Sequence, residues 1–153
     1  MTLLFEGPTE RGELVVVGLR TGDAIGSVTL PERPFICGVM LNDPQWPVTW
    51  LGDLIHGLIE RGAVYLAFWG FRCEEAHDIA DRVREPFTPL AGDDVVMTTW
   101  HRADSLIDYL WFVAFLTCPT PGYLTDENRY LILDIGYDPR PAVLSAVREV
   151  FVS

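Results

Sequence analysis

The sequence contains no lysine: its 11 basic side chains are all arginines. That absence excludes Schiff-base chemistry, a lysine general base and the phosphate-loop lysine of nucleotide-binding proteins. Positive charge is scarce altogether, with 22 acidic side chains against 11 basic ones and a formal net charge of −11. Such a chain repels the nucleic-acid backbone and anionic membrane surfaces, so neither is expected as a partner. Cysteine is sparse too. Cys37, Cys73 and Cys118 are odd in number, widely spaced and free of any CxxC pair. This argues against a disulfide framework, a zinc ribbon or a thiol-redox motif, and for a reducing cytoplasm. The first residues have neither a basic start nor an apolar run of signal length, so no targeting segment is expected. The longest apolar stretch, 109–116, falls far short of the roughly 20 residues that span a bilayer.

Apolar material is ample. With 153 residues, 49% hydrophobic and 22% charged, the chain can bury a core and offset the entropy of ordering itself. The length suits one domain and is tight for two.

From Phe35 onward, short β-rich runs alternate with helical periodicity. Residues 35–41 form a continuous apolar run, as expected of a strand covered on both faces. A helix follows with Trp50, Leu51, Leu54, Ile55, Leu58 and Ile59 on one face, Thr49 as its N-cap and Gly62 as its stop. Residues 63–69 read as the next strand, and 74–84 as a surface helix with acids in its first turn and Arg82 and Arg84 in its last. A strand over 94–100 precedes a helix capped by Asp104 or Ser105. The core stripe of that helix is Leu106, Ile107, Leu110, Trp111, Ala114 and Phe115, but Tyr109, Phe112 and Val113 make its other side apolar as well. A helix apolar nearly all round is deeply buried or meets another chain, and a homodimer through it is one way to cover it. Residues 130–135 read as a fourth strand, with Pro141 opening the last helix.

Alternation of this kind predicts a single α/β domain over residues 1–153, three-layered and flavodoxin-like (Rossmann-like), with a mainly parallel sheet. Upstream, 13–20 and 27–30 read as a β-hairpin around the turn 21–26, extending one sheet edge so that 1–31 is an edge hairpin and 35–153 the alternating core. The five tryptophans read as core and rim packing.

In open parallel sheets, ligands bind outside the carboxyl ends of the strands. The loops there carry Asn42 and Asp43, Arg72 to Glu75 with His77, His101 with Arg102 and Asp104, and Tyr137 with Asp138. A nucleophilic reading makes Cys73 a thiolate activated at a helix N-terminus, His101 its base, and Asp104 or Asp138 the group that orients the imidazole. With a strand order of 2-1-3-4 among the four α/β strands, the Cys73 and His101 loops would be about 9–10 Å apart. A metal reading groups Cys73 and His77, four apart on one helix face, with His101, but it lacks a fourth ligand. A phosphate reading fails because Gly18, Gly22 and Gly26 make no GxGxxG and precede no helix; Asp43 and Asp138 as Mg²⁺ ligands would lack an adjacent second acid. No metal and no cofactor is expected. The binding candidates are Asp43, Arg72, Trp100 and Asp138 at the sheet edge, and Tyr109 and Phe112 on the aromatic helix.

The segments Ala67-Phe68-Trp69-Gly70-Phe71-Arg72-Cys73-Glu74, Val96-Met97-Thr98-Thr99-Trp100-His101, Asp104-Ser105-Leu106 and Leu110-Trp111-Phe112 resemble a family of small bacterial proteins known only as a domain of unknown function. The resemblance spans about residues 35–136, and Met-Thr-Thr-Trp-His is its most specific part. It implies no activity, and it marks Cys73, Trp100 and His101 as positions to test.

Two function classes follow. The first is a cytoplasmic protein-binding factor of regulatory or immunity type, steered by its acidity to a basic partner protein. The second is a small hydrolase of acyl or phosphoryl esters using Cys73 and His101. Binding is the favoured expectation.

Overall fold

The computed structural model describes residues 1–87, 94–137 and 140–152. Its strands are β1 (Thr2–Thr9), β2 (Gly12–Arg20), β3 (Phe35–Leu41), β4 (Ala63–Gly70), β5 (Met97–His101) and β6 (Arg129–Gly136). Its helices are α1 (Val48–Glu60), α2 (Cys73–Val83), α3 (Leu106–Phe115) and α4 (Pro141–Phe151). The six strands form one sheet in the order β1-β2-β6-β3-β4-β5. Only the β1–β2 pairing is antiparallel.

The apolar runs become the central strands because both of their faces are covered. All of β3 is buried, and the alternation of its side chains divides the core in two. Cys37, Val39 and Leu41 join Leu66, Phe68, Leu131 and Leu133 against α1 and α2. Ile36 and Met40 join Tyr65, Ala67, Tyr130 and Ile132 against α3 and α4.

Strand order, left open by the sequence, is not the arrangement used above to space the Cys73 and His101 loops. Among β3, β4, β5 and β6 it is 4-1-2-3 rather than 2-1-3-4. With right-handed crossovers, helices on opposite faces carry the chain in opposite directions across the sheet. Here α1 and α2 pack on one face while α3 packs on the other, and β6 returns to lie between β2 and β3. As a consequence β4 and β5 are direct neighbours, pairing from Tyr65–Met97 to Trp69–His101.

The hairpin is also different. The antiparallel partner of β2 is the upstream β1, with Thr9 opposite Gly12, and not residues 27–30. The chain after β2 has to pass β6 to reach β3, so it cannot fold back beside β2. It crosses instead over α1, where Ile25, Val28 and Leu30 pack.

Strand β5 is shorter than the expected 94–100. The main-chain N–H of Gly122 donates to the Asp94 carboxylate (2.8 Å) and that of Val95 to the Thr120 hydroxyl (3.3 Å), so this segment bonds to the 120–122 loop rather than extending the ladder. Pro47, not Thr49, precedes the first turn of α1. Gly62, at φ +116°, stops that helix as its position suggests. Ser105 caps α3, its hydroxyl accepting the Asp108 N–H at 3.1 Å.

Helix α3 is rotated relative to the expected stripe. Tyr109 and Val113 are fully buried, whereas Ile107, Trp111 and Phe115 are 37%, 48% and 41% exposed. Tyr109 decides this: its hydroxyl donates to the Ala67 carbonyl at 2.7 Å through space that Gly38 leaves open. The expected binding role of Tyr109 and Phe112 as an exposed aromatic face is therefore corrected: Tyr109 is core and Phe112 half-buried, because the helix faces the sheet along that side.

Candidate functional site

Adjacency of β4 and β5 brings the Cys73 loop beside His101, but not as a nucleophile and its base. Cys73 opens α2 after Arg72, whose φ of +58° is the left-handed turn that leads into the helix. The thiol is 2% exposed and belongs to the core on the α1 and α2 side. Burial pushes its pKa up, against hydrogen bonds from the main-chain N–H groups of His101, Cys73 and Glu74 and a weak pull from Arg102. The expected dipole activation of the thiol is thus outweighed by desolvation.

The His101 imidazole lies on the opposite face. Its centroid is 4.2 Å from that of Phe112 and 5.4 Å from that of Tyr109. Nδ1 is 3.0 Å from Asp104 Oδ2, and Nε2 is 3.0 Å from Thr99 Oγ1. The Thr99 hydroxyl also bonds to the phenol of Tyr65, whose pKa burial raises. The structure therefore joins His101 to Asp104, as the sequence suggested, and adds Thr99 and Tyr65 to the chain. The indole N–H of Trp69 donates to the Asp104 carbonyl at 2.9 Å and ties this loop to β4.

On the other side of β5, Trp100 is 43% exposed, an exception to its reading as packing, and its ring lies 4.5 Å from that of His77. His77 faces the carboxylates of Asp78 (3.1 Å) and Asp81 (3.5 Å). Among the described residues, no group of three or more His, Cys, Asp or Glu side chains could hold a metal ion.

Among the described residues, the buried charged side chains are Asp43, just after β3, and Asp134, near the end of β6. Asp43 accepts the Gln45 N–H (2.9 Å), the Thr21 hydroxyl (2.8 Å) and the Tyr137 hydroxyl (3.3 Å). The Gln45 N–H above all, then the two hydroxyls and the charge of Arg72, hold its carboxyl below the ordinary range despite burial. Arg72 itself stacks on Trp46 (3.7 Å to the ring centroid), donates to the Trp46 carbonyl at 2.7 Å and pairs with Glu75 at 2.6 Å. Its role here is to fasten the loop after β3 to the start of α2. Asp138 lies outside the described residues. Sequence reasoning missed Asp134, which pairs with Arg140 at 2.9 Å and accepts the Asn42 amide at 2.5 Å. The available signal was a carboxylate inside an apolar strand, since a buried charge requires a partner. Beside it, Arg20, Thr21, Gly136 and Tyr137 line a recess of about 260 Å³.

The outward side of α3 presents a row of exposed apolar side chains. Ile107, Trp111 and Phe115 follow one another at four-residue intervals, with Leu116 (56% exposed) at the end. The rings of Trp111 and Phe115 stack at 4.6 Å, and the Arg11 guanidinium lies over Phe115 at 4.5 Å.

The family model described as a domain of unknown function, DUF7684, matches residues 16–151. The chain belongs to the DUF7684 family. The match is wider than residues 35–136: in this DUF7684 chain it takes in β2 from Val16 onward and all of α4. No curated protein matches the chain. Among the described residues, no helix is long and apolar enough to cross a membrane.

Proposed function

We propose that this DUF7684 protein is a protein-binding module that docks a basic partner through the outward face of α3. The observation that carries the proposal is the line of Ile107, Trp111 and Phe115, solvent-exposed on a helix whose opposite side is already buried. Large aromatic side chains are the residues that most often dominate binding energy, since each removes much surface from water at little cost in conformational entropy. The net charge of −11 raises encounter rates with a basic protein and disfavours an acidic one.

This reading fits a regulatory or immunity-type factor of the bacterial cytoplasm, built as a single flavodoxin-like α/β domain. The alternative, a hydrolase using Cys73 and His101, has weaker support: the thiol is buried and its pKa raised, and the imidazole packs on the other face of the sheet.

The test compares the wild-type chain with Trp111→Glu as bait, followed by calorimetry on the purified partner. The proposal predicts a partner that binds the wild type, is lost with Trp111→Glu, and weakens as salt rises from about 0.05 M to about 0.3 M. A partner bound equally by both chains would place docking elsewhere.

A further inference from the structure

Where the stripe on α3 ends, an acidic cleft begins. A recess of about 380 Å³ lies between the β1–β2 turn and the loop before β6, lined by Glu10, Arg11, Glu13, Asp126, Glu127 and Asn128 among others. Glu10, Glu13, Asp126 and Glu127 are all exposed. The only base in this wall is Arg11, and it links the two surfaces, because its guanidinium rests on the ring of Phe115 at the near end of the stripe. At the other end stand the exposed carboxylates of Asp104 and Asp108, and α3 itself carries no basic residue. Carboxylates thus stand at both ends of the apolar stripe and outnumber the bases there, Arg11 at one end and the exposed Arg102 at the other.

Resting on the docking role given to α3, we infer that the partner element is a basic amphipathic helix. Its apolar side chains lie along Ile107, Trp111 and Phe115, and an arginine or lysine enters the cleft in the place that Arg11 now lines. Three points support this occupant. From Ile107 to Phe115 the stripe is about 12 Å long, two turns of helix, so apolar residues recurring at three and four positions on another helix would meet it in register. The four carboxylates of the cleft favour a ligand that carries positive charge over a purely apolar one. A second copy of this chain is a poor occupant, because each copy carries −11 and would bring like charge to like. Arg11 serves as an internal stand-in for the partner's cation, combining the contact with an aromatic face that a basic side chain makes there with partial neutralisation of the cleft.

The experiment uses the full chain and two labelled synthetic helices of about 18 residues, identical in their leucine stripe and carrying arginine or glutamate on the polar side. Fluorescence anisotropy should show the arginine helix binding at least about tenfold more tightly than the glutamate helix. Glu10→Gln with Asp126→Asn should weaken the arginine helix about tenfold and flatten its salt dependence. Asp53→Asn with Glu74→Gln, on helices of the other sheet face, should change it less than about twofold. Arg11→Ala should tighten binding about threefold, because the stand-in no longer competes. All these positions except Arg11 are exposed, and thermal unfolding of each variant confirms that it folds. Equal binding of the two helices, no binding of either, or equal effects of the cleft and control substitutions would overturn the inference of a basic helix. If instead the cleft effects hold while Trp111→Ala changes nothing, the docking role of α3 fails and the cleft stands alone. Self-association of the chain that Trp111→Glu dissolves would make a second copy the occupant and overturn the inference.

Discussion

The Cys73 thiol accepts a hydrogen bond from the main-chain N–H of His101, while the His101 imidazole lies across the sheet against Phe112, 4.2 Å between ring centroids. The two residues most suggestive of chemistry are thus back to back. Each is absorbed by its own side of the core, and the imidazole is oriented by Asp104 and Thr99.

Burial raises the pKa of Cys73, and likewise those of Cys37, Tyr65, Tyr109 and Tyr130. A group with a raised folded-state pKa contributes stability that is complete below its unfolded pKa. That stability is lost as pH climbs from the unfolded value towards the folded one. Unfolding midpoints in urea should accordingly fall as pH rises above about 8.5, where thiols of the unfolded chain begin to ionise. Cys73→Ala should make the decline shallower. A midpoint that is flat or rises between about pH 8 and pH 10 would contradict the burial of these groups.

Gly38 should tolerate no side chain. A Cβ there would approach the Tyr109 hydroxyl to 2.8 Å and Ile132 Cδ1 to 2.9 Å. Gly38→Ala is expected to destabilise the fold by about 1–3 kcal/mol in urea denaturation. Adding Tyr109→Phe removes the hydroxyl clash and should recover part of that loss, so strict additivity of the two changes would count against the contact.

The ion pair of Asp134 and Arg140 is asymmetric. The carboxylate is 2% exposed and the guanidinium side chain 36%. Arg140→Ala leaves a buried carboxylate with no cation, held among the described residues only by the Asn42 amide and a long bond from the main-chain N–H of residue 140, and should cost about 3 kcal/mol. Asp134→Asn leaves an arginine that can reach water and keeps an acceptor for Asn42, so it should cost about 1–2 kcal/mol. Denaturant titrations giving the opposite order would contradict the assigned burial.

Much of the architecture is legible in the sequence because it rests on local patterns. The apolar runs of β3, β4 and β6, the Ser105 cap, the Gly62 stop and Pro141 at the start of α4 each follow from neighbours in the chain. What was not legible depends on contacts distant in sequence. Strand order turns on which sheet face α3 takes. The partner of β2 is decided by β6, whose main-chain ladder occupies the other edge. The rotation of α3 is set by the space above Gly38, 71 positions before Tyr109 in the chain numbering. The acidic cleft joins residues 10–13 to 126–128, and no local window contains both.

The most direct test of α3 as the docking face is a pair of substitutions at two exposed tryptophans. Trp111 is on α3 and 48% exposed; Trp100 is on the other side of β5 beside His77 and 43% exposed. Calorimetric titration of a purified partner into Trp111→Glu and Trp100→Glu compares similarly exposed aromatic sites under the same change of charge. The account predicts that Trp111→Glu abolishes binding while Trp100→Glu leaves the affinity within about twofold of the wild type. Loss of binding with Trp100→Glu and its retention with Trp111→Glu would contradict it.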